Sequence, residues 1–515
     1  METQLTPVEF PELVIGIAGP IGVDIDRLTS SISSCLEQVK YRTQLIKLTS
    51  EMGRFGTPGK KADGPDLFSQ INWKMDCANE IRTMYGRPDT LARIAIQTIR
   101  EFRRSFSGKE SIPAPSQAYL IRQLKLPEEV QLLRRTYGRQ FILVSAYASE
   151  AQRFDLLARD IARSLPTDTP ETDIAHKASM LIARDAREET DPLGQNLRET
   201  FHLGDVFTHG VDKDSMETTL ERFFQAFFGR NDITPSRDEY GMYTAKSASL
   251  RSADLSRQVG SAIFSKDGTI VSQGCNEVPK SSGGNYWDGD VPDYRDIRRG
   301  FDPNDTLKKE LLRNVLERLS NGGFLSEKAQ KIGNSFDMVA SMTNKKDKEN
   351  GILSDAKIMD VTEFGRVVHA EMNAICDAAR IGNPIQGTTL YCTTFPCHNC
   401  TKHIVACGIK RVVFMEPYPK SKAHELHGDE IQIESESDLN RVSFVPFLGI
   451  SPYRYRDIFQ KDRRKAKDGK AALWYAEHPK PMVEIEFPSY LVATEPWAIA
   501  PLLGNIELGE SPSSS

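Results

Sequence analysis

The sequence predicts an α/β protein of two domains: a doubly wound parallel sheet, followed by an α/β/α sandwich. Three observations carry this reading. An apolar strand, Leu13-Val-Ile-Gly-Ile-Ala-Gly-Pro-Ile-Gly22, runs into a glycine turn and a helix-like stretch. A strand–turn–strand pattern occupies 259–273. Beyond it, helix, buried strand, helix and strand alternate, with metal-ligating residue types at both helix starts.

Length and composition agree. The 515 residues are too many for one ordinary domain and enough for two substantial cores. A hydrophobic fraction of 39% and a charged fraction of 27% are those of a soluble globular protein. The net charge of −5 supplies no global basic field to hold a duplex. The first residues, with Glu2 and Pro7, do not form the apolar core of a signal peptide, and no run approaches a membrane span. Eight cysteines suit a reducing cytoplasm better than a disulfide framework.

In the first half, the turn Gly19-Pro-Ile-Gly22 and the helix-like stretch Asp24 to Lys40 have the geometry of a phosphate cradle, with backbone N–H groups and a helix N-terminus aimed at an anion. The match to G-x-x-x-x-G-K-[ST] is imperfect. Val23 and Asp24 follow Gly22, so the lysine that reaches the phosphates and the Ser/Thr that serves magnesium are both missing. Helical stretches Leu91 to Phe106 and Leu156 to Arg163 flank a second buried strand, Gln140 to Ser145. Thr200 to Phe207 resembles a late strand of a nucleotide-kinase fold. Residues 1–230 therefore read as a P-loop kinase-like domain with a degenerate phosphate loop. Without the lysine, nucleotide sensing or scaffolding is expected rather than phosphoryl transfer. Gly19, Gly22 and Asp24 are the candidate nucleotide contacts there, and Asp24 equally suits a helix N-cap.

In the second half, the predicted order is hairpin (Val259 to Phe264 and Thr269 to Gln273), helix Ala370 to Ile381, strand Thr389 to Thr394, helix Thr401 to Cys407 and strand Arg411 to Met415. The first helix opens with His369-Ala-Glu371 and the second follows Pro396-Cys-His-Asn-Cys400. Catalytic zinc takes three protein ligands and keeps one position for water. His369, Cys397 and Cys400 are the predicted ligands of Zn²⁺. Helix N-termini favour the thiolate forms. Glu371 is the predicted acid/base: two residues from His369, its carboxylate can stand beside the activated water rather than on the metal. The other cysteines (Cys35, Cys77, Cys275, Cys376, Cys392, Cys407) are expected to be small core residues, and His398 and His403 to flank the site without ligating.

These segments, with Arg257-Gln-Val-Gly260 and Gly274-Cys-Asn-Glu-Val-Pro279, resemble the deoxycytidylate deaminase branch of the cytidine deaminase superfamily. The resemblance implies a hydrolase with a cytidine-deaminase-like sandwich, zinc at the H-A-E and P-C-x-x-C residues, and Asn276 as a nucleotide ligand. Tyr418 is a candidate pocket residue. The pairing with a degenerate kinase-like module is similar to the bacterial two-domain anti-phage dCTP/dCMP deaminases. That likeness implies deamination of free deoxycytidine nucleotides, dCTP depletion in infected cells, restraint of activity until infection through the N-terminal half, a regulatory RNA or phage factor as partner, and a homo-oligomer. Two other functions share these residues: a polynucleotide cytosine or adenine deaminase, and a non-catalytic nucleotide- or RNA-binding regulator. The acidic net charge argues against the first and the retained Glu371 against the second.

The deaminase-like domain is expected over 239–500, with a helical insertion at 277–368 and a disordered tail at 501–515. A basic run, Arg454, Arg456, Lys461, Arg463, Arg464, Lys465, Lys467 and Lys470, reads as a solvated helix face; with Tyr453, Tyr455 and Phe459 interleaved, a triphosphate or RNA contact is the alternative.

Overall fold

The computed structural model describes residues 8–55, 62–188, 191, 193–344, 351–354, 356–361, 363–418, 420–461, 464–471, 479–483 and 488–506. The chain forms two compact units. One comprises Met1–Glu239 and Phe447–Ser515, the other Tyr240–Pro446.

In the first unit, strands β1 (Leu13–Ala18), β2 (Arg42–Lys47), β3 (Gln117–Arg122), β4 (Phe141–Tyr147) and β5 (Val206–His209) run parallel in the order β5-β4-β1-β3-β2. Ile15 sits opposite Leu120 on one side and Ile142 on the other. A parallel sheet needs both faces covered, and every residue of β1 is buried. On one face, α1 (Ile25–Gln38) contributes Leu28, Ile32 and Leu36, which pack with Phe223, Phe224 and Phe227 of the helix Lys213–Phe227. On the other, α2 (Thr90–Ser107) packs Ile94 and Ile99 with Tyr119 and Ile121 of β3. An α/β sheet covered on both faces is present as expected, but it is mixed rather than purely parallel, because Gly449–Ile450 joins its edge antiparallel. The segment Thr200 to Phe207 is a correction: Leu197–Phe201 is helical, and the strand begins only at Val206. Asp205 sets that start, because its N–H donates to Leu143 O at 2.8 Å while its carboxylate accepts from Leu143 N at 2.7 Å.

The glycine turn follows β1, at the point where the connections leaving β1 and β4 depart in opposite directions. Gly22 has φ +92°, and a Cβ there would lie 2.8 Å from Arg153 O. The Ile21 N–H donates to Asp185 Oδ2 at 2.7 Å, and Lys125 Nζ reaches Asp185 Oδ1 at 2.6 Å and Gly19 O at 2.8 Å. A buried carboxylate of the protein itself therefore receives the N–H that the turn presents. Asp24 caps α1 through Arg27 N at 2.9 Å.

The limits 239–500 and 501–515 are corrected by the chain's return. Gly449–Ile450 adds an antiparallel strand beside β5, and the helix Thr494–Ile506 packs on α2. Glu495, fully buried, grips Arg103 at 2.7 Å; Arg103 also holds Glu12, which accepts from Tyr490 Oη at 3.0 Å. Residues 501–506 thus continue a helix, and 507–515 lie outside the described residues. The basic run is not one helix face. Arg454 is buried against Asp205 and Asp457, Lys461 donates to Ala226 O at 3.1 Å, and the run's described part is helical only in the 3₁₀ turn Pro452–Arg454 and the short α-helix Tyr455–Phe459. Arg463 lies outside the described residues.

In the second unit, β6 (Gly260–Phe264), β7 (Ile270–Cys275), β8 (Thr389–Thr394), β9 (Arg411–Glu416), β10 (Ile431–Ile433) and β11 (Val442–Pro446) form a sheet ordered β7-β6-β8-β9-β11-β10. β6 pairs antiparallel with β7 and β8; β8, β9, β11 and β10 are parallel. The predicted strands are present, and β10 and β11 extend the sheet beyond them. Helices α3 (Ala370–Ile381) and α4 (His398–Ala406) follow the predicted order. Within the insertion, Leu312 and Leu316 of the helix Pro303–Asn321 bury against Met338 and Val339, giving it a small core of its own. Cys376 is exposed and Cys407 half-buried, which corrects the expectation of core positions; Cys35, Cys77, Cys275 and Cys392 are buried as expected. Cys376 stands on the face of α3 turned away from the sheet.

Candidate active site

The site is assembled from two helix N-termini and the ends of β6, β7 and β8. His369 is the N-cap residue of α3, and Cys397 that of α4. α3 is seated on the hairpin by side-chain bonds: Ser261 Oγ donates to Ala370 O at 2.7 Å, Ser272 Oγ to Ala374 O at 2.9 Å, and Cys275 N to Asn373 Oδ1 at 3.3 Å. Gly274 permits this contact. A Cβ there would stand 2.4 Å from Ala370 O and 2.5 Å from Ala374 N. The loop before α4 is held by Ser421 Oγ, which donates to Pro396 O at 2.9 Å, and by Phe395 N, which donates to Glu416 O at 2.8 Å.

His369 Nδ1 lies 3.4 Å from both Cys397 Sγ and Cys400 Sγ, and the three ligand atoms fall within 4.8 Å of one another. A tetrahedral zinc at ~2.3 Å from sulfur and ~2.0–2.1 Å from nitrogen sets such ligands roughly 3.5 Å apart, so the donor set fits the ion. The electrostatics prepare it. Contacts with Cys400 and His369, against the opposing effect of burial, hold the Cys397 thiol down to about 3. The Cys397 contact in turn raises His369 to about 9. Cys400 is pushed well up by Cys397 and by burial. A bound cation would replace the protons shared by this cluster.

Glu371 is 4% exposed, and burial, with the neighbouring Cys397 charge, raises its carboxyl above the usual range. It lines a cleft of about 430 Å³ together with His369, Cys397, Asn276 and Tyr418, so five of the six site residues predicted for this half line one cavity. Cys400 completes the metal group from beneath. Asn276 is held by the loop: its Oδ1 accepts from Val259 N at 2.7 Å and its Nδ2 donates to Arg257 O at 2.8 Å. Tyr418 is half-buried, with the Arg257 guanidinium 5.2 Å from its ring centre. Gly19, Gly22 and Asp24 belong to the other unit and are not among the lining residues. The insertion contributes Asp296, Asp302, Asn304, Asp360 and Arg366 to the lining, none of which sequence reasoning had singled out. No spacing marks them, because they reach the cleft through the insertion's tertiary course.

Residues 235–416 match the family model of the cytidine and deoxycytidylate deaminase zinc-binding region. The chain carries a dCMP/cytidine deaminase domain. Its relatives include the deoxycytidylate deaminases of Enterobacteria phages T2 and T4, each 51% identical over 55 residues, or 11% of this chain and 29% and 28% of theirs. A probable deoxycytidylate deaminase of Drosophila melanogaster is 28% identical over 178 residues, covering 35% of this chain and 58% of that protein. The chain thus spans less than a third of the phage relatives it matches. Among solved structures, the dCMP deaminase of cyanophage S-TIM5 in complex with dCMP and dUMP aligns at 19% identity and TM-score 0.23, over 42% of this chain and 99% of that one. The predicted zinc ligands His369, Cys397 and Cys400, and the predicted acid/base Glu371, lie within the matched region. Among the described residues, no helix is long and apolar enough to cross a membrane.

Proposed function

We propose that this protein is a zinc-dependent hydrolase that deaminates free deoxycytidine nucleotides, converting dCMP, dCTP or both to the corresponding deoxyuridine nucleotides with release of ammonia. The observation that carries the reading is the convergence of His369, Cys397 and Cys400 beside a buried carboxylate, Glu371, in one cleft. His369 Nδ1 and the two sulfurs would hold the ion. Bound there, zinc supplies the Lewis acidity that makes water a nucleophile near neutral pH.

The remaining chemistry falls to the protein. Glu371 takes a proton from the attacking water and passes it to N3 of the cytosine ring. A bond forms from water oxygen to C4, and the C4–N4 bond breaks. Glu371 then carries the second proton to the departing amine, which leaves as ammonia, and the ring becomes a uracil. Burial suits Glu371 to this exchange, because it raises the carboxyl above its usual range and so makes the proton it has taken less costly to hold until it is returned.

The first unit is read as a degenerate P-loop kinase-like module. Its parallel sheet and glycine turn support that reading, and the Asp185 carboxylate on Ile21 N supports scaffolding over phosphoryl transfer. The likeness to the two-domain anti-phage deaminases extends the proposal to dCTP depletion during infection, in the cytoplasm, by a homo-oligomer under RNA or phage-factor control.

Zinc-loaded protein mixed with dCMP, dCTP, CMP, CTP and an oligonucleotide, with products read by mass, tests the proposal. Uracil forms of the free deoxynucleotides are expected. Deamination of the oligonucleotide alone would reject the reading in favour of a polynucleotide deaminase.

A further inference from the structure

A deoxycytidine nucleotide brings at least one phosphate into the cleft, and a desolvated phosphate needs a cation. Besides His369, three basic side chains line the cavity: Arg257, Arg366 and Lys420. Two are already neutralised. Arg366 pairs with Asp296 and donates to Tyr294 O at 3.2 Å, and Lys420 pairs with Asp360. Among the described residues, no carboxylate pairs with the Arg257 guanidinium, which lies over the Tyr418 ring. Asp254, the nearest acid in sequence, uses Oδ1 to accept from Ser256 N at 2.7 Å.

The aim of Arg257 is set from behind. Asn276 makes three hydrogen bonds to the segment that carries it: its own N–H to Val259 O at 3.2 Å, Oδ1 from Val259 N at 2.7 Å, and Nδ2 to Arg257 O at 2.8 Å. Asn276 is 8% exposed, so these bonds form in a poorly solvated place. The fork of an arginine suits a phosphate, offering two parallel donors as well as charge.

We infer that Arg257 is the specificity-determining residue that reads the substrate's 5′-phosphate, and that Asn276 is a positioning residue acting through it. This inference rests on the nucleotide-deaminase reading above.

The test compares ligands with and without the phosphate. Affinities of the zinc-loaded protein for dUMP and deoxyuridine are measured by calorimetric titration, and kcat/KM for dCMP and deoxycytidine by ammonia release. The proteins are wild type, Arg257→Ala, Arg257→Lys, Asn276→Ala and the Arg257→Ala/Asn276→Ala double variant, each checked for zinc content. Arg257→Ala is expected to cut the preference for the phosphorylated ligand roughly 10- to 100-fold, with part of it restored by Arg257→Lys. Asn276→Ala is expected to cut it less, and to add little in the double variant. Equal losses for both members of each pair, or no wild-type preference for dUMP over deoxyuridine, would overturn the assignment of Arg257. A full additional loss in the double variant would overturn the positioning role of Asn276. A wild type that prefers dUMP but turns over no cytidine compound would sink the deaminase reading and leave the phosphate assignment standing.

Discussion

His369 Nδ1 and Cys397 Sγ stand 3.4 Å apart, across the gap between two helix N-termini that approach from different parts of the chain. That separation fits one edge of a zinc tetrahedron. It requires α3 to lie flat on the hairpin and α4 to start where β8 ends. Replacing His369 by Ala, or Cys397 or Cys400 by Ser, should reduce bound zinc from about one equivalent to near zero, as measured by atomic emission on the purified protein.

Glu371 is proposed to move protons and not to hold the metal. Glu371→Gln should therefore keep full zinc occupancy while kcat for dCMP falls roughly 10²- to 10⁴-fold. Zinc lost in parallel with activity would contradict the division between ligand and proton carrier.

The pH dependence follows from the same side chain. Glu371 must be ionised to accept the first proton, and burial raises it from the ordinary 4.5. Activity should then be lost as pH falls through a value above that range, rather than at the pH of an exposed carboxylate. The acidic limb of the kcat/KM profile measures it, and Glu371→Gln should remove that limb from the residual rate.

Gly274 carries the seat of α3. Gly274→Ala places a methyl group 2.4 Å from Ala370 O, where the nearest atoms are helix backbone and cannot rotate aside. The helix must lift at the turn that begins with His369. Weaker zinc binding is expected, read by competition with a chromogenic chelator, although no ligand has changed.

In the first unit, Asp185→Ala would leave Lys125 buried without its partner and Ile21 N without an acceptor. A loss of about 3–5 kcal/mol is expected from the urea unfolding transition of this unit. Asp185→Asn keeps an acceptor for Ile21 N and should cost less.

The metal group was legible in the sequence because its chemistry is local. Cys397 and Cys400 share one helical turn, and His369 and Glu371 another, so spacing alone aims each pair. Strand β8 was legible because Thr389 to Thr394, rich in β-branched and aromatic residues, has the length of one buried strand. β2 escaped notice: Arg42-Thr-Gln-Leu-Ile-Lys47 is mostly half-exposed at the sheet edge and carries little apolar signal. β10 and β11 are short, and no turn motif announces them. The contacts that complete the first unit are less legible still. Glu495 meets Arg103 across 392 residues, and Asp185 meets Lys125 across 60. Each is a charge whose partner only the folded chain identifies. Arg257 illustrates the same limit within the cleft, since its significance lies in the pairing of its neighbours with other acids.

The deaminase unit interrupts the other unit's chain, which resumes at Phe447 and supplies Glu495 to the buried Arg103. During synthesis, Arg103 must wait through 392 further residues before its carboxylate partner is made. The unit encoded second can close its sheet at Pro446, before the unit encoded first is whole. The order of maturation can therefore invert the order of translation. A chain cut short after the deaminase would release the metal-binding unit attached to an open, charge-exposed partner.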